Sequence, residues 1–192
     1  TPHMEPQRLK LRRLIEQEVF VTKDTERSVN PNGTEALWLF DFRRVLLRAE
    51  VLDMIGEIFW KECKDEHPFQ IGGIEVAAIP LVTALAIKMR EKGAPVNGFF
   101  IRKSRKKSGL LRMIEGELTD EKVILVDDTI NTGKSFIRQV EVIEALGKKV
   151  SIVFVILRYR DESYYDYFHT KGIRVLSLFS LDDFKDTLNV KN

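Results

Sequence analysis

Asp127 and Asp128 stand side by side after an apolar run, Val123 to Val126, and are followed by Thr129-Ile130-Asn131-Thr132-Gly133-Lys134-Ser135. The apolar run, mostly β-branched, reads as a buried strand, and Phe136 to Leu146 has a helical pattern. The two acids thus fall where the strand should end, and the small and hydroxyl residues form a turn into a helix N-terminus. In an open α/β sheet, ligands bind beyond the carboxyl ends of the strands. A turn of small residues lets several backbone N–H groups meet one phosphate, and the helix dipole favours the anion. Carboxylates accept hydrogen bonds, and the vicinal hydroxyls of a sugar donate them. A phosphate cradle beside an acid pair therefore describes a site for a ribose 5-phosphate.

Two other readings fit less of the run. Gly133-Lys134-Ser135 copies the end of a P-loop, but that motif needs a glycine five residues before Gly133. Position 128 is Asp, which repels a polyphosphate lacking cations. A polar strand-to-helix connection with Asp128 or Thr129 as N-cap would account for the acids alone, but not for the whole run in this order.

The run 123–135 closely resembles the 5-phosphoribosyl diphosphate (PRPP) motif of type I phosphoribosyltransferases: an apolar strand, two acids, two mostly variable residues, then Thr-Gly-x-Ser/Thr. The resemblance implies that Asp127 and Asp128 bind the ribose 2′- and 3′-hydroxyls. It implies that Thr129 and the stretch Asn131, Thr132, Gly133, Lys134 and Ser135 bind the 5-phosphate.

A second segment, Phe99-Phe100-Ile101-Arg102-Lys103-Ser104-Arg105-Lys106-Lys107-Ser108-Gly109, is a strand running into a basic loop. A charge run is most often a solvated face. Here it lies near a site whose leaving pyrophosphate needs cations, where charge-assisted contacts contribute about 1.5–3 kcal/mol each. The loop, continued by Ile114-Glu115-Gly116, resembles that of the orotate phosphoribosyltransferase branch, with Arg102, Lys103 and Lys106 on the basic positions. The resemblance makes Asp127, Asp128, Lys103 and Lys106 the catalytic set. It also implies a homodimer, because in that branch the loop reaches into the partner's site. Ser108 replaces the branch's loop histidine, and Leu110-Leu111 replaces its glycine-containing pair.

Gly73 to Leu81 resembles the family's pyrophosphate loop, with the Val76 and Ala77 backbone N–H groups facing the ligand. Without the family it is a βα connection with Pro80 in the first helical turn. Arg158-Tyr159-Arg160-Asp161-Glu162 resembles the branch's Asp-Arg-x-Glu, which makes Arg160 the base-binding arginine and puts Tyr159 at the Asp position; surface charge pairing explains it equally. Leu176 to Phe184 resembles the C-terminal strand and turn. Phe40-Asp41-Phe42-Arg43 keeps the base-recognition strand, but Asn30 to Ala36 lacks its lysine, so the base is not specified. Asn131 disfavours purines, since an amide cannot take the N7 proton as the Asp of purine-specific relatives does. The resemblance covers most of residues 36–185.

These pieces need a scaffold. Leu9, Leu11, Leu14, Ile15 and Val19 mark an amphipathic helix, 28–35 is a loop, and Trp38 to Phe42 is a candidate strand. A helix over Ala49–Lys64, a strand over Gln70–Ala77, a helix over Pro80–Glu91 and a strand over Val96–Ile101 precede the loop 102–118. After the motif come a strand over Val150–Leu157, a short aromatic helix near Tyr164–Phe168 and a strand over Ile173–Leu178. Alternating strands and helices predict an α/β fold. With the resemblance, this becomes a single-domain type I phosphoribosyltransferase fold over 1–192, with a mainly parallel sheet flanked by helices and a small hood or base-recognition region. Thr1-Pro2-His3-Met4 reads as a cloning scar.

The chain has 192 residues, enough for one sizeable core, and a net charge of +2. Neither nucleic acid nor membrane is expected as a partner: the charge is near balance, no apolar run approaches the roughly 20 residues that span a bilayer, and no signal peptide is visible. Cys63 is the only cysteine; it reads as a packing residue, and its solitude suits the cytoplasm. His3, His67 and His169 lack metal-ligand spacing. The reaction expected is Mg²⁺-dependent transfer between PRPP and a nitrogenous base, releasing pyrophosphate. A non-catalytic PRPP- or nucleotide-binding regulator is the rival, on the strength of Ser108 and the altered base segment.

Overall fold

A computed structural model describes residues 5–22, 38–104 and 113–189. The loop around 28–35 and most of the basic segment, including Lys106 and Ser108, lie outside the described residues. In chain order the elements are α1 (Pro6–Leu14), β1 (Phe20–Thr22), β2 (Trp38–Phe40), α2 (Ala49–Cys63), β3 (Gln70–Gly72), α3 (Ala78–Glu91), β4 (Asn97–Ile101), β5 (Ile114–Gly116), β6 (Val123–Ile130), α4 (Lys134–Ala145), β7 (Val150–Arg158), α5 (Asp166–Thr170), β8 (Arg174–Ser180) and α6 (Lys185–Asn189).

The main sheet runs β5-β4-β3-β6-β7-β8. All neighbours are parallel except β4 and β5. The strands after β3 build one side of the sheet and those after β6 the other, so the order reverses between β3 and β6. That switch point is where an open α/β sheet leaves a crevice.

The central strands are apolar over 123–126 and 152–157 because both faces are covered there. On β6 and β7, Ile124, Val126, Ile152, Phe154 and Ile156 join a core with α1, α2 and α3 residues such as Leu11, Ile55, Phe59 and Leu85. The alternate residues Val123, Leu125, Val153 and Val155 join a second core with Phe136, Val140 and Ile143 of α4 and Phe168 of α5. Cys63 is fully buried in the first core, and burial pushes its thiol up to about 12. It is the packing residue expected.

The structure corrects the sequence reading in five places. The strand expected over Gln70–Ala77 ends at Gly72. Residues 102–118 are not all loop: Ile114–Gly116 pairs antiparallel with β4, and the Arg102 N–H meets the Met113 carbonyl at 2.7 Å. The N-terminal helix gives way after Leu14 to a π-helical turn, Ile15–Val19, and then to β1. β1 pairs antiparallel with β2 as a two-stranded hood. The hood strand stops at Phe40, where Asp41 accepts the Arg43 N–H at 3.2 Å and turns the chain into a 3-10 segment. Finally, the acid pair lies within β6 rather than past its end.

That last correction explains the crevice. Pairing between β3 and β6 stops at Gly72 opposite Leu125. Pairing between β6 and β7 continues to Ile130 opposite Arg158. Beyond Leu125, β6 is held on one side only, and Asp127 and Asp128 sit on that half-supported edge.

Candidate active site

A cavity of about 360 Å³ opens at the switch point. The hood lends it Leu39, Phe40, Asp41 and Arg43. The connection after β3 lends Ile74, Glu75, Val76 and Ala77. Lys103 follows β4, and Asp127, Asp128, Thr129 and Ser135 come from the motif.

The acids are oriented by their own backbone. Asp127 Oδ1 accepts the Asp128 N–H at 2.8 Å, and Asp128 Oδ1 accepts the Thr129 N–H at 2.8 Å. The two carboxyls also interact with each other, side chain to side chain. Asp127 feels the charge of Lys103. Burial and then the Asp128 charge raise the Tyr159 pKa, and the Tyr159 ring packs edge-on against Phe40 of the hood. Burial pushes the Asp127 carboxyl up to about 8; the Asp128 charge adds to the rise and Lys103 opposes it. Two neighbouring acceptors can take two hydroxyl donors from one ring.

The turn after β6 is shaped by Gly133, whose φ of +84° lies in the left-handed region and which precedes the first residue of α4. That conformation favours glycine, and a Cβ there would lie 3.0 Å from the Phe168 ring. The first-turn N–H groups of α4 lack partners within the helix, and Thr129 and Ser135 bring hydroxyls to the cavity wall on either side of the turn. Gly73 permits a second close approach: a Cβ there would fall on the Val126 carbonyl and the Ala78 methyl. The connection after β3 thereby packs against β6 just before the acids. It includes a cis Glu75–Val76 bond.

Of the residues singled out by sequence, Val76, Ala77, Lys103, Asp127, Asp128, Thr129 and Ser135 share the cavity wall. Asn131, Thr132, Gly133 and Lys134 form the adjoining turn. Two others are engaged elsewhere. Arg102 donates to Glu115 at 2.6 Å. Arg160 donates to Asn131 Oδ1 at 3.1 Å and lies over the Tyr164 ring, 5.2 Å from its centre. Neither is among the cavity-lining residues. Lys106 lies outside the described residues. Sequence reasoning missed Glu75 as a wall residue and Tyr165 as a support. Tyr165 stands in the aromatic patch after β7 as one of three tyrosines, Tyr164, Tyr165 and Tyr167, and nothing in the sequence singles it out. Among the described residues, no group of three or more His, Cys, Asp or Glu could hold a metal ion.

Residues 46–180 match the model of the phosphoribosyl transferase domain. The chain is 30% identical over 158 residues to the orotate phosphoribosyltransferase of Bradyrhizobium sp. (strain ORS 278), which spans 80% of this chain and 85% of that one. Its fold is similar to that of Mycobacterium tuberculosis H37Rv orotate phosphoribosyltransferase in complex with Fe(III) dicitrate, with a TM-score of 0.77 and 28% identity over 94% of this chain and 99% of that one. The same enzyme in complex with PRPP gives a TM-score of 0.72 and 26% identity over 93% and 98%.

Proposed function

The chain belongs to the phosphoribosyl transferase domain family as a type I, orotate phosphoribosyltransferase-like enzyme, and we propose that it transfers the phosphoribosyl group between PRPP and a nitrogenous base with release of pyrophosphate. The observation that carries this reading is the cavity at the switch point, which gathers the acid pair, the phosphate turn, the connection after β3 and Lys103 around one volume. The similarity to a relative in complex with PRPP supports the same ligand here.

The residues divide the substrate among them. Asp127 and Asp128 accept the ribose hydroxyls, and Thr129 with Asn131 to Ser135 takes the 5-phosphate at the α4 N-terminus. The Val76 and Ala77 N–H groups and the Lys103 ammonium meet the diphosphate. The base lies toward Leu39, Phe40, Asp41 and Arg43. As the C1–O bond to pyrophosphate breaks and the C1–N bond forms, positive charge grows on the ribose and negative charge on the leaving group. Carboxylates beside the ribose and Lys103 beside the leaving group stabilise that separation, so catalysis is positioning and electrostatics. Arg102 joins the end of β4 to β5 through Glu115, and Arg160 braces the phosphate turn through Asn131.

Mg²⁺ fits this donor set as an ion carried by substrate. It keeps several waters and takes one or two carboxylates beside phosphate oxygens, and Asp127 and Asp128 are the carboxylates offered. When bound it neutralises diphosphate charge. A homodimer also belongs to the reading. A groove of about 450 Å³ between α3 and β4–β5 is lined by Ile79, Val82, Ala86, Ile87 and Phe100, and Ile87 is 56% exposed; a second copy would cover it. The single, buried thiol suits a cytoplasmic location and one domain spanning the chain completes the proposal.

The test is incubation with PRPP, Mg²⁺ and a panel of bases while pyrophosphate release is followed. Release with one base and not others supports the transferase. PRPP binding by calorimetry without release for any base supports the regulator instead, and no PRPP binding at all overturns the site.

A further inference from the structure

Glu75 is an acid in a place that should hold the most negative part of the substrate. Its carboxylate half-buried in the cavity wall adds a like charge to a diphosphate pocket, which an uncharged residue would avoid. The surrounding hydrogen bonds give it work to do. Past the end of β3, the chain stays paired with β4: the Ile101 N–H meets the Gly73 carbonyl at 2.7 Å and the Glu75 N–H meets the Ile101 carbonyl at 3.0 Å, with Ile74 bridged parallel to Ile101. The next N–H along β4's continuation is that of Lys103. It donates to Glu75 Oε1 at 2.6 Å. The side chain supplies the acceptor that a further ladder carbonyl would have supplied.

The link has two consequences with opposite signs. It fixes the Lys103 backbone at the point where the chain leaves the sheet, so the ammonium stays at the cavity, where it bears on Asp127. It also leaves a carboxylate charge beside the diphosphate. We propose that Glu75 is a positioning residue that holds Lys103 at the leaving-group end of the site and, through its charge, limits how tightly the diphosphate is held. The inference rests on the functional reading above and adds to it a residue that trades diphosphate affinity for the placement of a cation.

Three substitutions separate the two effects. Glu75→Gln keeps an acceptor oxygen at the same reach and removes the charge. Glu75→Asp keeps the charge but withdraws the acceptor by one methylene. Glu75→Ala removes both. Binding of inorganic pyrophosphate and of PRPP is measured by calorimetry, kcat and KM are measured against pH, and melting temperature checks that each variant is folded. Glu75→Gln should tighten pyrophosphate about threefold or more, as expected for one charge lost nearby, with kcat/KM for PRPP retained. Glu75→Asp and Glu75→Ala should lower kcat/KM for PRPP about tenfold, the size of a modest transition-state contact. Equal damage in Glu75→Gln and Glu75→Ala overturns the positioning role, and so does wild-type behaviour in all three while the wild type binds PRPP. A wild type that binds no PRPP overturns the functional reading itself, and this inference falls with it.

Discussion

The Tyr165 hydroxyl lies 3.0 Å from the Asn131 carbonyl, with the Ile130 carbonyl at 3.3 Å. It also accepts the Arg160 N–H at 3.2 Å. The phenol is fully buried, and burial raises its pKa, so it remains a donor at all ordinary pH values. One side chain from beneath α5 thereby ties the end of β6, the phosphate turn and the exit of β7 together.

Tyr165→Phe should therefore weaken both fold and site. The Asn131 carbonyl loses its donor and the Arg160 N–H its acceptor, while the Ile130 carbonyl keeps the Tyr159 N–H at 3.0 Å, a loss of about 1–3 kcal/mol. In a chain of this length each kcal/mol lowers the melting temperature by about 2–4 °C. Ribose 5-phosphate affinity should fall by about threefold or more, because the turn that receives the phosphate loses its anchor. Thermal melts and calorimetry measure the two effects; a variant that melts early yet binds the phosphate unchanged would show that the turn does not depend on Tyr165.

Gly133→Ala meets two penalties at once. A side chain in the left-handed region costs about 1–2 kcal/mol, and the added methyl would press on the Phe168 ring at 3.0 Å. The expected result is a melting point several degrees lower together with weaker PRPP binding. Gly147→Ala is the control. Gly147 also has positive φ, at +76°, but nothing lies within 4 Å of its Cβ position. It should lower stability by the backbone cost alone and leave PRPP binding intact.

The contrast between these glycines shows which parts of the site were legible in the sequence. Val123 to Ser135 could be read because a doubly buried strand demands an unbroken apolar run, and because acids and small residues directly after one have few structural uses. The element order followed from the same periodicity. Tyr165 and Glu75 were not legible because their roles depend on partners distant in sequence: a carbonyl 34 residues away for Tyr165 and an N–H 28 residues away for Glu75. β5 escaped notice because three residues are too few to carry a period. Arg102 and Arg160 matched family positions, but a guanidinium bonds to any nearby acceptor, and Glu115 and Asn131 are within reach.

Lys88 should prove a stability determinant remote from the site. Its ammonium is 8% exposed, donating to Asp53 at 2.5 Å and Glu57 at 3.0 Å across α2 and α3, and Gly56 leaves room for its stem. Burial lowers its proton affinity, but the bonds to Asp53 and Glu57 outweigh that and raise its pKa. Lys88→Met leaves Glu57 with Lys92 alone, at 3.0 Å, and should cost about 1 kcal/mol, with little added by Asp53, which stays well solvated. Hydrogen bonds from Lys88 and Lys92 depress the Glu57 pKa. The stabilisation is thus present above the carboxylate's unfolded pKa and is lost as pH falls through the folded one. Denaturant titrations should show the wild-type advantage over Lys88→Met shrinking in acid; a constant gap would mean that Lys88 contributes packing only.

Asp127 should give the opposite pH dependence. Its pKa rises from 3.8 to about 8 on folding, chiefly through burial and then through the Asp128 charge. The folded chain therefore keeps a proton that the unfolded chain has lost, and stability falls as pH rises from about 4 to about 8. Asp127→Asn should remove that slope and gain most over wild type at the alkaline end. The titration belongs to the pair, since the two carboxyls interact. Ligand reverses the preference: ribose hydroxyls donate to the ionised form, and such bonds favour it. PRPP binding at neutral pH should then expel a proton and tighten as pH approaches 8. Calorimetry in buffers of different ionisation enthalpy reads the proton count directly. A count near zero at pH 7 in the wild type, with Asp127→Asn binding PRPP as tightly, would remove Asp127 from the ribose and leave Asp128 to hold it alone.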